Sequence, residues 1–114
     1  MSTTKYKFTA SAHDIDGFYG VDYRGLNEEE IALTEIGWNG WTTNRLQEII
    51  NNCNSLSDDE EFDYEVEGSD FYILVKKDEV LMWARDSSTP DITWSYEKFL
   101  QFLEDFKRFV RDHS

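Results

Sequence analysis

Alternating residues near the N-terminus predict a pair of short strands. Over residues 4–11 every second side chain from Tyr6 to Ala10 is apolar, which is typical of a strand with one buried face. Residues 14–17 have the composition of a turn, and residues 18–24 form a second run rich in β-forming residues. We expect these two strands to pair with each other.

Two helices are predicted in the middle of the chain. Asn27 is a candidate N-cap and the glutamates at 28–30 suit the positive end of a helix dipole, so a short helix should begin there and stop at Gly37. The same glutamates are also candidates for an acidic surface. Thr42 or Thr43 can cap a second helix. Its apolar residues follow the i, i+3, i+4, i+7 spacing of one helix face and are Leu46, Ile49, Ile50 and Cys53.

The segment from residue 61 to residue 85 predicts a three-stranded antiparallel meander. In its first strand, apolar and acidic residues alternate from Phe62 to Glu67. Two β-rich runs follow at 71–76 and 80–85, and the three polar residues between them have the length of a hairpin loop.

The last segment predicts the longest helix, over residues 95–112 with Ser95 as its N-cap. Its apolar residues form one stripe and are Phe99, Phe102, Leu103, Phe106, Phe109 and Val110. The element order is therefore ββ-α-α-βββ-α. It predicts an α+β fold in which an antiparallel sheet of about five strands packs against helices in a single domain, residues 1–114.

The composition adds that the chain is strongly acidic. It has 24 Asp and Glu against 11 Lys and Arg among 114 residues, which gives a formal charge of −13. A hydrophobic share of 39%, with 4 Trp, 6 Tyr and 8 Phe, still provides for a core and excludes a disordered chain. Direct binding to nucleic acid is disfavoured, because the phosphate backbone repels so acidic a protein.

The acidic residues are concentrated in the first two thirds of the chain. Residues 1–75 hold 16 acids and 4 bases, whereas residues 76–114 hold 8 acids and 7 bases. Eight acids and no base fall within residues 58–70. The eight are Asp58, Asp59, Glu60, Glu61, Asp63, Glu65, Glu67 and Asp70. Because Asp63, Glu65 and Glu67 alternate with apolar residues, they should form a row of carboxylates about 7 Å apart on one face of a strand.

This acidic segment has two interpretations. A run of like charge is commonly a solvated face without a partner. Alternatively, it is a docking surface for a strongly basic protein, because complementary fields steer encounter and disfavour wrong partners. Repulsion along the row lowers stability and the fold does not require it, which favours the docking surface.

Two tryptophans are candidates for the apolar part of such a surface. Trp38 and Trp41 lie in a loop flanked by glycines. Both are expected to pack into the core or, alternatively, one of them is exposed as an interface anchor, since Trp is enriched in binding hot spots.

The cysteine content and the chain start favour a cytoplasmic location. Cys53 is the only cysteine, which excludes a disulfide framework and suggests a reducing compartment. Its place on an apolar helix face predicts a core residue and not a reactive thiol. The first five residues lack an apolar leader core, and no stretch approaches the ~18 apolar residues of a membrane span.

Motifs for catalysis or metal binding are absent from the sequence. His13 and His113 have no second His or Cys at metal-ligand spacing, and residues 14–17 lack the rest of a calcium loop. Glycine loops that bind phosphate do not occur. An exposed acidic row also lacks the apolar pocket that raises the pKa of a catalytic carboxyl group. We expect no catalytic residue, no metal and no cofactor.

Three functions remain open at this level: an inhibitor that masks the cationic cleft of a basic toxin, an acidic protein-interaction or DNA-mimic domain without a toxin partner, and an enzyme with a carboxylate-centred site. The inhibitor is favoured because it needs no catalytic residues. In size, acidity, single-domain build and lack of catalytic motifs, the chain resembles the small acidic immunity proteins of bacterial toxin systems, such as those of contact-dependent inhibition. The resemblance implies a cytoplasmic protein that neutralises a basic toxin, in particular a nuclease, and it assigns no residue.

Overall fold

A computed structural model describes most of the chain. The described residues are 7–22, 28–38, 40–66, 71–84 and 89–113, without the side chains of residues 13 and 28–30. They form an α+β fold, which confirms the predicted class. The elements in chain order are β1 (Phe8–Thr9), a 3₁₀ turn (Ala12–Asp14), β2 (Gly20–Val21), a 3₁₀ helix (Glu28–Trp38), α1 (Thr43–Asn54), β3 (Glu61–Glu65), β4 (Tyr72–Lys76), β5 (Val80–Trp83), β6 (Ile92–Trp94) and α2 (Tyr96–His113).

The described strands form two antiparallel sheets, so the prediction of one sheet with about five strands is wrong. The first sheet pairs β1 with β2, and the second has the order β3-β4-β5-β6. The predicted meander is confirmed as the first three strands of the second sheet. β6 is missing from the predicted order because its three residues, close behind Pro90, are too few to show a periodicity.

The N-terminal strands are shorter than predicted in the described part of the chain. Only two residues of each form the ladder, and residues 4–6 and 23–24 of the predicted strands lie outside the described residues. Between the strands the backbone hydrogen bonds do not follow a regular strand ladder. One of them runs from the Ala12 N–H to the Phe18 carbonyl oxygen at 2.8 Å. Gly17 takes a positive φ of 87° in this connection, which suits a residue without a Cβ.

The first predicted helix is a 3₁₀ helix and continues to Trp38, one residue beyond the predicted stop at Gly37. Its buried residues Leu33 and Ile36 lie three positions apart, and a 3₁₀ helix aligns such residues on one face. A Cβ on Gly20 of β2 would lie 2.8 Å from the Cα of Gly37, so strand and helix meet backbone to backbone. The predicted cap Asn27 lies outside the described residues.

The two α-helices begin at the predicted caps. The side chain of Thr42 accepts a hydrogen bond from the Arg45 N–H at 3.1 Å, and Ser95 Oγ accepts one from the Lys98 N–H at 3.1 Å. The predicted apolar faces are buried, including Cys53 in α1, except that Phe109 of α2 is half-buried against the core. Both helices therefore follow from local sequence signals.

The helices and one face of the larger sheet share a single core. Apolar residues of β4, β5 and β6 join the core at every second position, and Trp94 packs against Phe102 of α2 with ring centroids 5.3 Å apart. The Tyr96 hydroxyl also donates to the carbonyl oxygen of Cys53 at 2.7 Å, which ties α2 to α1. We call this the inner face of the sheet, and the opposite face the outer face.

Candidate protein-binding surface

β3 is an edge strand, because β4 is its only partner among the described residues. The Val66 N–H donates to the Phe71 carbonyl oxygen at 2.9 Å, so Val66 bonds to the neighbouring chain segment. In the same register Phe62 and Tyr64 occupy the hydrogen-bonded positions opposite β4. In an antiparallel pair the residues between two hydrogen-bonded positions direct their N–H and C=O groups away from the partner strand. Glu61, Asp63 and Glu65 therefore direct their backbone groups towards the open edge.

The side chains of β3 alternate as predicted. Glu61, Asp63 and Glu65 are exposed, whereas Phe62 and Tyr64 are half-buried and pack against the core. The three carboxylates thus lie on the outer face, along the same residues whose backbone groups face the open edge.

A tight turn places more acids at the start of β3. The Glu60 N–H donates to the Ser57 carbonyl oxygen at 3.0 Å, and the Ser57 N–H donates to Glu60 Oε1 at 2.8 Å. Asp58 and Asp59 are exposed at the tip of this turn. Glu60 is therefore engaged in holding the turn, while its neighbours are available to a partner.

None of the six predicted acids that the structure describes has a cation partner within ion-pair distance among the described residues. Glu60 is engaged in the turn with Ser57, and the other five are not. We call these five the acidic edge: Asp58, Asp59, Glu61, Asp63 and Glu65. Lys76 faces Glu61 in the cross-strand register but forms no ion pair with it. By contrast, Arg108 and Asp105 of α2 form an ion pair of 3.1 Å. Glu67 and Asp70 lie outside the described residues.

The acidic edge acts on a neighbouring tyrosine that the sequence patterns did not single out. The Tyr72 hydroxyl of β4 donates to Asp63 Oδ2 at 3.0 Å. Desolvation raises the pKa of Tyr72, and the hydrogen bond to Asp63 and the negative charges of Asp63, Glu61 and Glu65 raise it further. The carboxylates therefore produce a negative field across the outer face.

A half-buried apolar group lies on the outer face beside the acidic edge. We call it the outer apolar strip, and it consists of Tyr72, Leu74, Leu81 and Trp83. In the register Asp63 is opposite Leu74, which is opposite Leu81, and Tyr72 and Trp83 are paired with ring centroids 5.7 Å apart. None of the four belongs to the core or to the side chains packed against it. The strip was not predicted, because β4 is apolar on both faces and its sequence does not distinguish them.

The two candidate tryptophans have different environments. Trp41 is 4% exposed, and its Nε1–H donates to the Ile36 carbonyl oxygen at 2.7 Å, so its prediction as an exposed anchor is wrong. The indole also lies edge-on to Phe106, with centroids 5.7 Å apart. Trp38 is 37% exposed at the end of the 3₁₀ helix and remains a candidate, on an element separate from β3.

The described residues offer little for metal or thiol chemistry. No group of three or more His, Cys, Asp or Glu side chains that could hold a metal ion occurs among them. Cys53 is 0% exposed, and burial raises the pKa of its thiol to about 11, whereas a nucleophilic thiol needs a lowered pKa. In this part of the chain, no helix has the length and apolar character needed to cross a bilayer.

The structure thus joins the acidic edge and the outer apolar strip into one continuous surface. Comparisons with protein-family models, curated proteins and solved structures gave no match for this chain. The function of the surface is therefore inferred from its own geometry.

Proposed function

We propose that the protein is a cytoplasmic immunity protein, or antitoxin, that binds and neutralises a basic toxin through the acidic edge and the outer apolar strip. The observation that carries the proposal is the row of exposed carboxylates on β3 without cation partners among the described residues. A toxin that cleaves DNA or RNA needs a cationic cleft for phosphates. Carboxylates at strand spacing can occupy such a cleft, and this role requires no catalytic group of the inhibitor.

The two parts of the surface suit different steps of binding. Exposed charges mainly raise the association rate, and this effect weakens as salt increases. Aromatic residues such as Tyr72 and Trp83 are enriched in the desolvated centres of interfaces and mainly slow dissociation. An apolar strip beside charged residues resembles the centre and rim of a protein interface.

If the proposal is right, we expect the gene for this chain to lie directly downstream of a gene for a large secreted protein with a toxic C-terminal domain, and that domain is the partner to assay. We expect the protein to inhibit the nuclease activity of that domain at a one-to-one ratio, with affinity that falls as NaCl is raised. If the unaltered protein leaves the activity of that domain unchanged, the proposal is contradicted.

A charge-reversed variant tests whether the acidic edge carries the binding. Asp63→Lys with Glu65→Lys should slow association at least ~10-fold and flatten its salt dependence. The matched control is Glu48→Lys with Asp78→Lys, which makes the same change in net charge at exposed positions outside the acidic edge. Equal slowing in both variants would show that net charge, and not this surface, governs the encounter.

A further inference from the structure

The open edge of β3 provides backbone hydrogen-bonding groups as well as charge. Glu61, Asp63 and Glu65 direct three N–H and three C=O groups away from β4, and the described residues supply no strand to pair with them. An exposed edge of this kind is a template for an added strand. Glu61, Asp63 and Glu65 thus combine a row of negative side chains with backbone groups that a further strand could pair with.

The pattern of β3 specifies which strand would fit. Residues opposite each other in a ladder place their side chains on the same face. An added strand would therefore place every second side chain beside the carboxylates of Glu61, Asp63 and Glu65. Its intervening side chains would lie on the inner face beside Phe62 and Tyr64, which are half-buried. A strand with basic residues at alternate positions and apolar residues between them would therefore match the carboxylates on the outer face and the apolar side chains on the inner face.

The same carboxylates disfavour a second copy of this chain on the edge. Pairing two β3 strands would bring two rows of carboxylates together, and like charges directly opposite each other destabilise a sheet. Natural edge strands use charge in this way to prevent association. The occupant that the edge accepts is therefore a strand of opposite charge from another protein.

We propose that the partner binds by adding an extended basic segment to β3 as a fifth, antiparallel strand of the larger sheet. Every pairing in this sheet is antiparallel, and antiparallel ladders are slightly more stable per residue than parallel ones. The proposal deepens the proposed function and rests on it for the identity of the partner. It adds the backbone of β3 to the binding surface.

The probe is a capped peptide with the sequence Thr-Lys-Val-Lys-Val-Lys-Thr, whose three lysines match the three carboxylates of β3. Fluorescence anisotropy at 50 mM NaCl should show saturable binding. The amide signals of Glu61, Asp63 and Glu65 should shift in NMR spectra and become protected from hydrogen exchange. The same residues arranged as Lys-Lys-Lys-Val-Val-Thr-Thr should bind at least ~10-fold more weakly, because the charges no longer alternate.

Backbone methylation separates strand addition from simple charge attraction. In antiparallel pairing the lysine N–H groups point at β3, so N-methylation of two lysines removes two of these bonds and should weaken binding at least ~10-fold. N-methylation of the two valines leaves the bonds and the charges intact and should change affinity less than ~3-fold. Asp63→Asn with Glu65→Gln should also weaken the unmodified peptide, whereas Glu48→Gln with Asp78→Asn should not.

The outcomes separate this inference from the proposed function. If the lysine-methylated peptide binds as tightly as the unmodified one, or if no alternating peptide binds, strand addition is refuted even where the toxin domain is inhibited. Dimers of the free chain with protected β3 amides in ultracentrifugation and exchange measurements would also refute it. If the peptide binds as expected but the toxin domain is not inhibited, the docking edge stands and the immunity function fails.

Discussion

At the scale of single residues, Trp41 shows how one hydrogen bond keeps an aromatic side chain out of a binding surface. Its indole N–H satisfies the carbonyl oxygen of Ile36 at 2.7 Å in a buried position. Turning Trp41 outwards to meet a partner would leave that carbonyl unpaired, at a cost of about 1–3 kcal/mol. Trp38, by contrast, is 37% exposed at the end of the 3₁₀ helix.

The thiol of Cys53 gives a prediction for alkaline pH. Burial raises its pKa from 9.0 to about 11, an effect that the charge of Lys77 partly opposes. Because the folded pKa lies above the unfolded one, the contribution to stability is complete below pH 9 and is lost as pH rises through about 11. Between pH 8 and pH 10.5 the protein should lose about 1–2 kcal/mol more unfolding free energy than Cys53→Ala.

Urea unfolding of both proteins at the two pH values measures this difference. The comparison between pH values cancels the constant effect of the cavity left by Cys53→Ala. Parallel losses in the two proteins would contradict the prediction and show that other groups dominate the alkaline transition.

At the scale of elements, the contact between β2 and the 3₁₀ helix depends on glycine. A Cβ at Gly20 would lie 2.8 Å from the Cα of Gly37 and 3.1 Å from the Cβ of Ala12. Since the nearest atom belongs to the backbone, the helix would have to shift. Gly20→Ala should therefore destabilise the protein by roughly 1–3 kcal/mol, as measured by urea unfolding.

Gly40→Ala is the control, because a Cβ there would meet no atom within 4 Å. It should change the unfolding free energy by no more than about 0.5 kcal/mol. If Gly20→Ala proved as mild as Gly40→Ala, the strand and the helix would not pack as closely as described.

The elements that sequence predicts correctly are those whose signals are local. Thr42 and Ser95 are caps with hydroxyl groups next to strong helical periodicity, so α1 and α2 are recognisable within their own residues. β6 has no such signal, because three residues cannot establish an alternation and pairing with β5 defines the strand. The division into two sheets likewise depends on contacts between distant segments, which no local pattern encodes.

The candidate surface likewise has one part that the sequence predicts and another that depends on contacts between strands. The alternation in β3 predicts the exposed carboxylates of Glu61, Asp63 and Glu65, because alternate residues of a strand point to opposite faces. Whether β3 lies at an edge depends on which strands pair with it, and only the structure supplies that. Trp83 joins the surface through its register with Tyr72, a relation between two strands.

At the scale of the whole molecule, the position of the negative charge matters more than its total. The formal charge of −13 opposes compaction wherever it is placed, but neighbouring carboxylates on one strand repel each other most. At about 7 Å in water, two such charges repel by about 0.5 kcal/mol at low ionic strength. The acidic edge therefore lowers stability locally, which is expected of a surface kept for binding.

Neutralising part of the acidic edge should stabilise the free protein while it weakens binding. At 20 mM NaCl, Asp63→Asn with Glu65→Gln should raise the unfolding free energy by about 1 kcal/mol and the Tm by several degrees, and the gain should shrink in 0.5 M NaCl. The pKa of Tyr72 should fall towards its ordinary value in an NMR titration, because nearby negative charges help to raise it. Glu48→Gln with Asp78→Asn changes the net charge equally and should give less than half of the gain. Equal gains in both variants would show that the destabilising repulsion comes from the total charge of the protein. The carboxylates on β3 would then lower the stability of the free protein no more than other acidic residues do, and binding of a partner would relieve no particular repulsion there.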